Sequence, residues 1–198
     1  MMKRNFDIVF SFLGLLILLP VFLVIGILIA FDSRGGIFYK QQRVGLNGKL
    51  FGLLKFRTMR TGSDKQGLLT IGSDDRRITA TGQWLRKYKL DELPQLINIL
   101  KGDMSFVGPR PEVIKYVLHY TLLQRKVLSV KPGLTDPASL AYLNENDLLS
   151  RAENPEQYYI LHIMPAKLEL NLEYLARQNM AGDIRIILRT ISRILKSD

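Results

Sequence analysis

Residues 90–111 combine two adjacent carboxylic acids with an arginine held in a rigid turn. Asp91 and Glu92 precede an apolar-periodic segment that carries Pro94 in its first turn, a pattern that predicts the N-terminus of a helix. The helix dipole and the unpaired N–H groups at such a site favour negative charge, which keeps a carboxylate ionised and also suits a phosphate. The alternative is a plain helix cap, because Asp is a common N-cap residue.

Arg110 lies between two prolines, at positions 109 and 111, that fix the backbone dihedral φ on either side of it. A guanidinium aimed in this way can bind two phosphate oxygens at once, and a turn needed only for topology has little use for arginine. The acid pair and this arginine together therefore indicate chemistry on a phosphate.

A β-hairpin is predicted where Asn47-Gly48 separates two strand-like runs. Lys55 and Arg57 flank Phe56 near the end of the second run, so strand alternation would place both cations on one face. Such a pair suits a diphosphate, and the alternative is a pair of solvated strand charges. Beyond Arg110, the segment 112–130 is predicted to be helical before a turn at residues 131–133.

The N-terminal run from Ile8 to Phe31 contains no charged residue. About 24 residues at a rise of about 1.5 Å give roughly 36 Å, enough to cross a hydrocarbon core of about 30 Å. Pro20 lies in the middle of the run, where it removes a backbone donor and favours a bend. A kinked spanning helix and a re-entrant helix that enters and leaves by the same face both fit this pattern.

The chain has 28 Lys and Arg residues against 18 Asp and Glu residues, a formal net charge of +10. The basic residues are spread along the chain and match no nucleic-acid-binding module, so anionic lipid is the better partner. The segment 184–196 alternates Ile and Leu with Arg and Lys at helical spacing, which predicts an amphipathic helix that lies either in the membrane interface or against the core. Cysteine is absent, which excludes disulfides and thiolate catalysis.

Several blocks together resemble the small monotopic phosphoglycosyl transferases, also called bacterial sugar transferases. The matching blocks occur in the order of that family and cover the chain almost end to end. They are KRNFDI at 3–8, QRVG at 42–45, KFRTM at 55–59, GQWLR at 82–86, LDELPQL at 90–96 and KPGLT at 131–135.

The resemblance implies transfer of a phosphosugar from a UDP-sugar to a polyprenol (undecaprenyl) phosphate, with release of UMP. This is the first membrane step of bacterial glycoconjugate assembly, for example of exopolysaccharide, lipopolysaccharide or capsule. Asp91 would be the nucleophile that forms an aspartyl-phosphosugar intermediate, and Glu92 would assist the acceptor or the metal site. Mg²⁺ would bind at Asp91 and Glu92. Four cations would hold the substrate phosphates: Lys55, Arg57, Arg86 and Arg110.

The resemblance also implies an α+β, helix-dominated fold with a small β-hairpin, in a monotopic membrane protein with interfacial amphipathic helices. Residues 1–34 would form a re-entrant membrane helix that bends at Pro20, with both ends cytoplasmic. Residues 35–198 would form the catalytic domain on the cytoplasmic face of the bacterial inner membrane, in contact with membrane lipid. A homodimer is possible, and the sequence leaves the oligomeric state open.

Two other functions remain as alternatives at this point. The first is a membrane-anchored scaffold in which Asp91 is only a helix cap. The second is a tethered metal-dependent glycosyltransferase of the soluble type, which would usually carry an Asp-x-Asp motif that this sequence lacks.

The chain departs from the commonest family pattern at residues 136–146. Many relatives continue there with Gly-Trp-Ala-Gln-Val-Asn-Gly-Arg-Asn, whereas this chain has Asp-Pro-Ala-Ser-Leu-Ala-Tyr-Leu-Asn-Glu-Asn. An aromatic residue or an arginine in that loop could contact the nucleotide or the sugar, so the sequence leaves the donor sugar open.

Overall fold

A computed structural model of the chain describes residues 2–63 and 75–196. It begins with one long α-helix, α1 (Met2–Asp32). In the described part of the chain, α1 is the one helix long and apolar enough to cross a membrane. The predicted long apolar helix is therefore confirmed. The helical pattern continues through Pro20, so a bend there stays a prediction.

The predicted hairpin is present. Strand β1 (Phe38–Val44) pairs in antiparallel fashion with β2 (Leu50–Phe56). The connection contains a 3₁₀ turn in which Asn47 and Gly48 have φ values of 54° and 77°. Both values lie in the left-handed region that Asn and Gly tolerate, which explains why this dipeptide marks the turn.

A second, parallel pair of short strands was not predicted from the sequence. Strand β3 (Ser105–Val107) pairs with β4 (Gly133–Thr135). The segment between them is not the continuous helix predicted for 112–130, which was wrong. It contains only the short helix α4 (Ile114–Val117) and a 3₁₀ helix (Gln124–Ser129), separated by turns.

Helices make up most of the remaining described chain, in agreement with the helix-dominated fold class. Four of them begin with a side-chain cap of the expected kind, from Thr79, Asp136, Asn154 and Asn179. A π-helical turn joins α7 to α8. The bounds are α2 (Ala80–Lys87), α3 (Gln95–Lys101), α5 (Pro137–Ala141), α6 (Glu145–Ser150), α7 (Pro155–Tyr158), α8 (Met164–Ala176) and α9 (Met180–Leu195).

Helix α1 packs lengthwise on the rest of the protein with one face. Near its N-terminus, Lys3 Nζ forms an ion pair with Asp183 Oδ2 at 2.6 Å, and Asp7 Oδ1 accepts a hydrogen bond from the Ser105 hydroxyl at 3.1 Å. Farther along, the same helix contributes apolar side chains to the two clusters around β2, α2 and α3: Leu15, Leu18, Phe22, Ile25 and Ile29.

The other face of α1 exposes large apolar side chains along most of its length. The predicted amphipathic C-terminal helix is also present as α9, and several of its apolar side chains are exposed rather than packed in the core. The exposed apolar residues include Phe12, Leu16, Ile17, Leu23, Val24 and Ile27 in α1, and Ile184, Leu188, Ile191 and Leu195 in α9.

Candidate functional site

The acid pair lies on a 3₁₀ turn (Leu90–Glu92) between α2 and α3. Lys89 has a φ of 56°, and this left-handed residue redirects the chain from α2 into the turn. The cap positions of the turn and of α3 are Lys89 and Pro94, and neither makes a side-chain cap bond. Asp91 and Glu92 are therefore not the caps of these helices, so the cap alternative does not describe their role.

Glu92 is held between two cations. Its Oε1 accepts a hydrogen bond from Lys55 Nζ at 3.0 Å. Arg110 approaches in a bidentate manner, with Nη1 3.2 Å from Oε2 and Nη2 in closer contact with Oε1. Burial alone would raise the pKa of Glu92, but Arg110 and Lys55 hold it well below its usual value. Glu92 is thus fixed as an ionised, fully paired carboxylate.

Asp91 has a different environment from its neighbour. Its side chain is buried, the residue being 6% exposed, and its Oδ2 lies 4.0 Å from Lys55 Nζ. Burial raises the pKa of Asp91 above its usual value, against the opposing charges of Lys55 and Arg86. Its carboxylate accepts no hydrogen bond from the described residues, and an oxygen without such a partner is better suited to attack an electrophile than those of Glu92.

Arg86 lies near the acid pair. Its Nε donates a hydrogen bond to Thr58 Oγ1 at 2.9 Å, and the charge of Asp91 acts on its guanidinium. Together with Lys55 and Arg110, three of the four predicted phosphate-binding cations thus surround the acid pair.

Arg57 is placed elsewhere. Its guanidinium donates to the carbonyl oxygens of Ser33 at 2.6 Å and Arg34 at 3.2 Å, at the C-terminal end of α1. The last carbonyls of a helix have no intrahelical partner, and the buried Arg57 supplies one. Lys55 contacts the acid pair, whereas the contacts of the Arg57 guanidinium lie at the end of α1. These contacts favour an anchoring role for Arg57 over the predicted phosphate-binding role.

Sequence reasoning missed a second charged group beside the site. Arg43 Nη1 lies 3.0 Å from Glu112 Oε1, and the Tyr159 hydroxyl donates to Glu112 Oε2. These residues are separated by up to 116 positions and no local pattern joins them. Arg43 stands in the QRVG block, which is the one signal that could have drawn attention to it.

Asp136 is another missed residue, and it supports Arg110. It is fully buried and accepts hydrogen bonds from the backbone N–H of Arg110 at 2.8 Å and from Asn171 Nδ2 at 3.1 Å. An Asp directly before Pro137 is a recognisable start of a helix. Its structural role was therefore visible in the sequence, but its contact with Arg110 was not.

A cavity of about 700 Å³ adjoins the acid pair. Lys89, Glu92 and Arg110 line it at one end, whereas Asp91 does not reach its wall. A substrate phosphate in the cavity would therefore meet the basic residues before it meets Asp91.

The residues fit a magnesium ion only in part. In the ranges 2–63 and 75–196, no group of three or more acidic, His or Cys side chains is placed to hold a metal. Both oxygens of Glu92 already contact cations, so Asp91 is the better ligand of the predicted pair. Mg²⁺ commonly takes one or two carboxylates and completes its shell with phosphate oxygens and water, which suits this arrangement.

The chain matches one known protein family over almost its full length. A family profile described as bacterial sugar transferase matches residues 1–197. A UDP-glucose:undecaprenyl-phosphate glucose-1-phosphate transferase of Xanthomonas campestris pv. campestris is 36% identical over 193 residues, which are 96% of this chain and 38% of the relative.

Two shorter relatives match over most of their length. The uncharacterized sugar transferase EpsL of Bacillus subtilis (strain 168) is 35% identical over 197 residues, 100% of this chain and 89% of the relative. The exopolysaccharide production protein ExoY of Sinorhizobium fredii is 33% identical over 210 residues, 98% of this chain and 86% of the relative. The chain thus spans less than half of the Xanthomonas relative and most of the other two.

Proposed function

Because this chain belongs to the bacterial sugar transferase family, we propose that it transfers a phosphosugar from a UDP-sugar to undecaprenyl phosphate and releases UMP. The name of the Xanthomonas relative supports both the nucleotide-sugar donor and the lipid acceptor. The observation that carries the proposal is the buried acid pair, in which one carboxylate is fully paired with cations and the other is not.

The first chemical step uses Asp91 as the nucleophile. One of its carboxylate oxygens attacks the phosphorus that carries the sugar, and the bond from that phosphorus to the bridging oxygen of UMP breaks. The bonding electrons leave with UMP, and the phosphosugar remains on Asp91 as an acyl phosphate. Lys55, Arg86 and Arg110, which lie beside the acid pair, balance the charge on the phosphate oxygens in this step.

The second step regenerates the enzyme. A phosphate oxygen of the polyprenol acceptor attacks the same phosphorus, and the bond to Asp91 breaks. The products are the polyprenyl diphosphosugar and the free carboxylate. The depressed pKa of Glu92 makes it a weak base, so its part is to position Lys55 and Arg110 rather than to accept a proton.

A magnesium ion, bound through Asp91 and the substrate phosphates, would supply Lewis-acid polarisation of the phosphoryl oxygens. The chain's own cations orient the phosphate around Asp91. Burial of Asp91 excludes water, which would otherwise hydrolyse the acyl phosphate.

The contacts of α1 support a monotopic arrangement, and we propose the cytoplasmic face of the inner membrane as its location. Lys3 and Asp7 at one end of α1, and Ser33 just beyond its other end, all bond to the same domain. A helix tied down at both ends in this way keeps both ends on one side, while its exposed apolar face meets lipid. The exposed apolar side chains and arginines of α9 suit the same interface.

Single cysteines test this topology, since the chain has no native thiol. They are placed at Asn5 and Arg34, whose side chains are exposed. We expect both to be protected from a membrane-impermeant thiol reagent added outside intact cells, and labelled after the cells are opened. Labelling of one position in intact cells would establish a spanning helix.

The reaction is tested with purified protein, Mg²⁺, undecaprenyl phosphate and a panel of UDP-sugars, with UMP as the measured product. We expect release of UMP from at least one donor and its loss in Asp91→Asn, a variant that keeps the size of the side chain. Asp147→Asn, at an exposed position away from the cavity, is the matched control. Full activity of Asp91→Asn would refute the assignment of Asp91 as the nucleophile, whereas no release of UMP by the wild-type enzyme from any donor would favour the scaffold.

A further inference from the structure

The cavity beside the acid pair has walls of two kinds. On the side of α1 and α9 its lining is largely apolar, with Phe10, Leu18, Ile187 and Ile191 among the lining residues. On the side of α6 and α8, polar side chains share the lining with the apolar Met164 and Leu168. The wall formed there by Glu145, Lys167 and Asn171, together with the neighbouring Tyr142 and Tyr159, is called the α8 wall below.

The charges near the α8 wall are neutralised within the protein. Lys167 Nζ lies 2.5 Å from Glu145 Oε2, and Arg43 Nη1 lies 3.0 Å from Glu112 Oε1. The carboxylate of Asp136 also lines this part of the cavity. With each of these cations already paired and an additional carboxylate present, the α8 wall is a poor site for a phosphate. It is better suited to a neutral ligand that forms many hydrogen bonds.

Asn171 gives a second, independent indication of a ligand. It lines the cavity, is only 4% exposed, and donates through Nδ2 to Asp136, but its Oδ1 has no hydrogen-bond partner among the residues that the structure describes. Buried acceptors are nearly always paired, so an unpaired one beside a cavity is accounted for by a donor that arrives with a ligand. A sugar hydroxyl is such a donor, and tyrosine rings provide the flat apolar surface that a sugar ring can lie against.

The α8 wall is also connected to the reacting centre. Asp136 bonds Asn171 on one side and the backbone N–H of Arg110 on the other. The side chain of Arg110 in turn pairs with Glu92. A sugar against the α8 wall would therefore lie beside the cations that hold its phosphate, as the covalent link between sugar and phosphate requires.

We infer that the α8 wall binds the sugar of the donor, and that Asn171 and the Glu145–Lys167 pair select among sugars by the arrangement of their hydroxyl groups. This assignment rests on the proposed function and adds the place where specificity is determined. Glu145 belongs to the segment 136–146, in which this chain departs from the common family pattern, so the selected sugar can differ from that of relatives.

The test compares wild-type enzyme with Asn171→Leu, using UDP-glucose, UDP-galactose, UDP-N-acetylglucosamine and UDP-N-acetylgalactosamine as donors. We expect kcat/KM for the preferred donor to fall about tenfold or more and its advantage over the other donors to narrow, because a site built to bond a hydroxyl discriminates by that bond. Inhibition by UMP, which lacks the sugar, should stay unchanged. Asn144→Leu, exposed and outside the cavity lining, is the matched control.

An equal fall for all donors, or weaker inhibition by UMP, would overturn the assignment and place the uridine rather than the sugar against this wall. If Asn171→Leu does not fold, as judged by thermal unfolding, Glu145→Gln tests the same wall and is expected to narrow the preference in the same way. Turnover with unchanged preference in Glu145→Gln would then overturn the assignment while leaving the proposed function intact. A wild-type enzyme that releases UMP from none of a wide panel of donors would instead refute the proposed function, and this assignment with it.

Discussion

Replacement of Arg57 by methionine should separate an anchoring role from a phosphate-binding role. Arg57 is 8% exposed and donates to the carbonyl oxygens of Ser33 and Arg34 and to the Ser33 hydroxyl, at 2.6, 3.2 and 3.1 Å. Methionine keeps much of the apolar stem but none of the donors. The structure therefore predicts a loss of stability with the chemistry retained.

The magnitude follows from these three hydrogen bonds, since the fourth, to the Ile29 carbonyl oxygen, is long at 3.4 Å. A hydrogen bond to a charged group contributes about 1.5–3 kcal/mol, and water can replace part of this because Arg34 is exposed. We therefore expect a net loss of about 3 kcal/mol in the free energy of unfolding, less than the sum of the three bonds. At about 2–4 °C for each kcal/mol in a chain of this size, the thermal midpoint should fall by roughly 6–12 °C.

Thermal stability and catalytic activity can be measured on the same detergent-solubilised protein. Thermal unfolding gives the midpoint, and UMP release well below both midpoints gives the activity of folded enzyme, which should stay within about twofold of wild type. Lys55→Met is the comparison, because Lys55 contacts both acids, and its activity should fall by about 100-fold or more. An unchanged midpoint for Arg57→Met with a loss of activity like that of Lys55→Met would refute the anchoring role.

Two further predictions concern the acid pair and the β3–β4 contact. The negative charge of Glu92 raises the pKa of Asp91, so Glu92→Gln should lower that pKa and extend the first half-reaction, measured as UMP release without acceptor, to lower pH. If the rate of UMP release by Glu92→Gln fell off at the same pH as in wild-type enzyme, or at a higher pH, this electrostatic coupling would be contradicted. A Cβ on Gly108 would lie 2.5 Å from a backbone carbonyl oxygen, so Gly108→Ala should strongly reduce the yield of folded protein and its thermal midpoint. Gly36→Ala, where the nearest atom to an added Cβ is at 3.7 Å, is the control and should behave as wild type. Equal yield and thermal midpoint for the two variants would show that the backbone around Gly108 can accommodate a Cβ, against this prediction.

The features that could be predicted from the sequence are those with strong local signals. An uncharged run from Ile8 to Phe31 gave the long helix α1, and Asn47-Gly48 between two strand-like runs gave the hairpin. The rigid Arg110 turn and the acid pair were also recognised locally, and the structure brings Arg110 and Glu92 into contact. In each case the decisive interaction is made within a few residues or depends on a backbone restriction.

The features that were missed depend on contacts between distant residues. Strands β3 and β4 are three residues long, too short to show alternation, and their pairing joins segments 28 positions apart. Alternation along β2 predicted the side of the strand for Arg57 but not the group that its guanidinium contacts. The unpaired carbonyls at the end of α1 decide its position instead, and no local pattern announces them.

The residues that surround the cavity were missed for the same reason, because their contacts join distant parts of the chain. The fully buried Asp136 could be recognised as a helix start, yet its bonds to Arg110 and Asn171 depend on how α5 and α8 pack. The pairing of Arg43 with Glu112 likewise requires β1 to lie beside the segment after β3. Residue types and spacing therefore identified the candidate reacting groups, whereas the walls of the cavity required the structure.

Covalent catalysis by Asp91 is tested most directly by the mass of the enzyme after incubation with a UDP-sugar and Mg²⁺ in the absence of polyprenol phosphate. We expect the mass of one phosphosugar to be added to the peptide that contains Asp91, with up to one equivalent of UMP released for each active enzyme molecule. Addition of undecaprenyl phosphate should remove the adduct, and Asp91→Asn should form none. If wild-type enzyme turns over normally but shows no adduct at quench times shorter than one turnover, the aspartyl-phosphosugar intermediate is refuted. That result would favour direct attack of the lipid phosphate on the UDP-sugar.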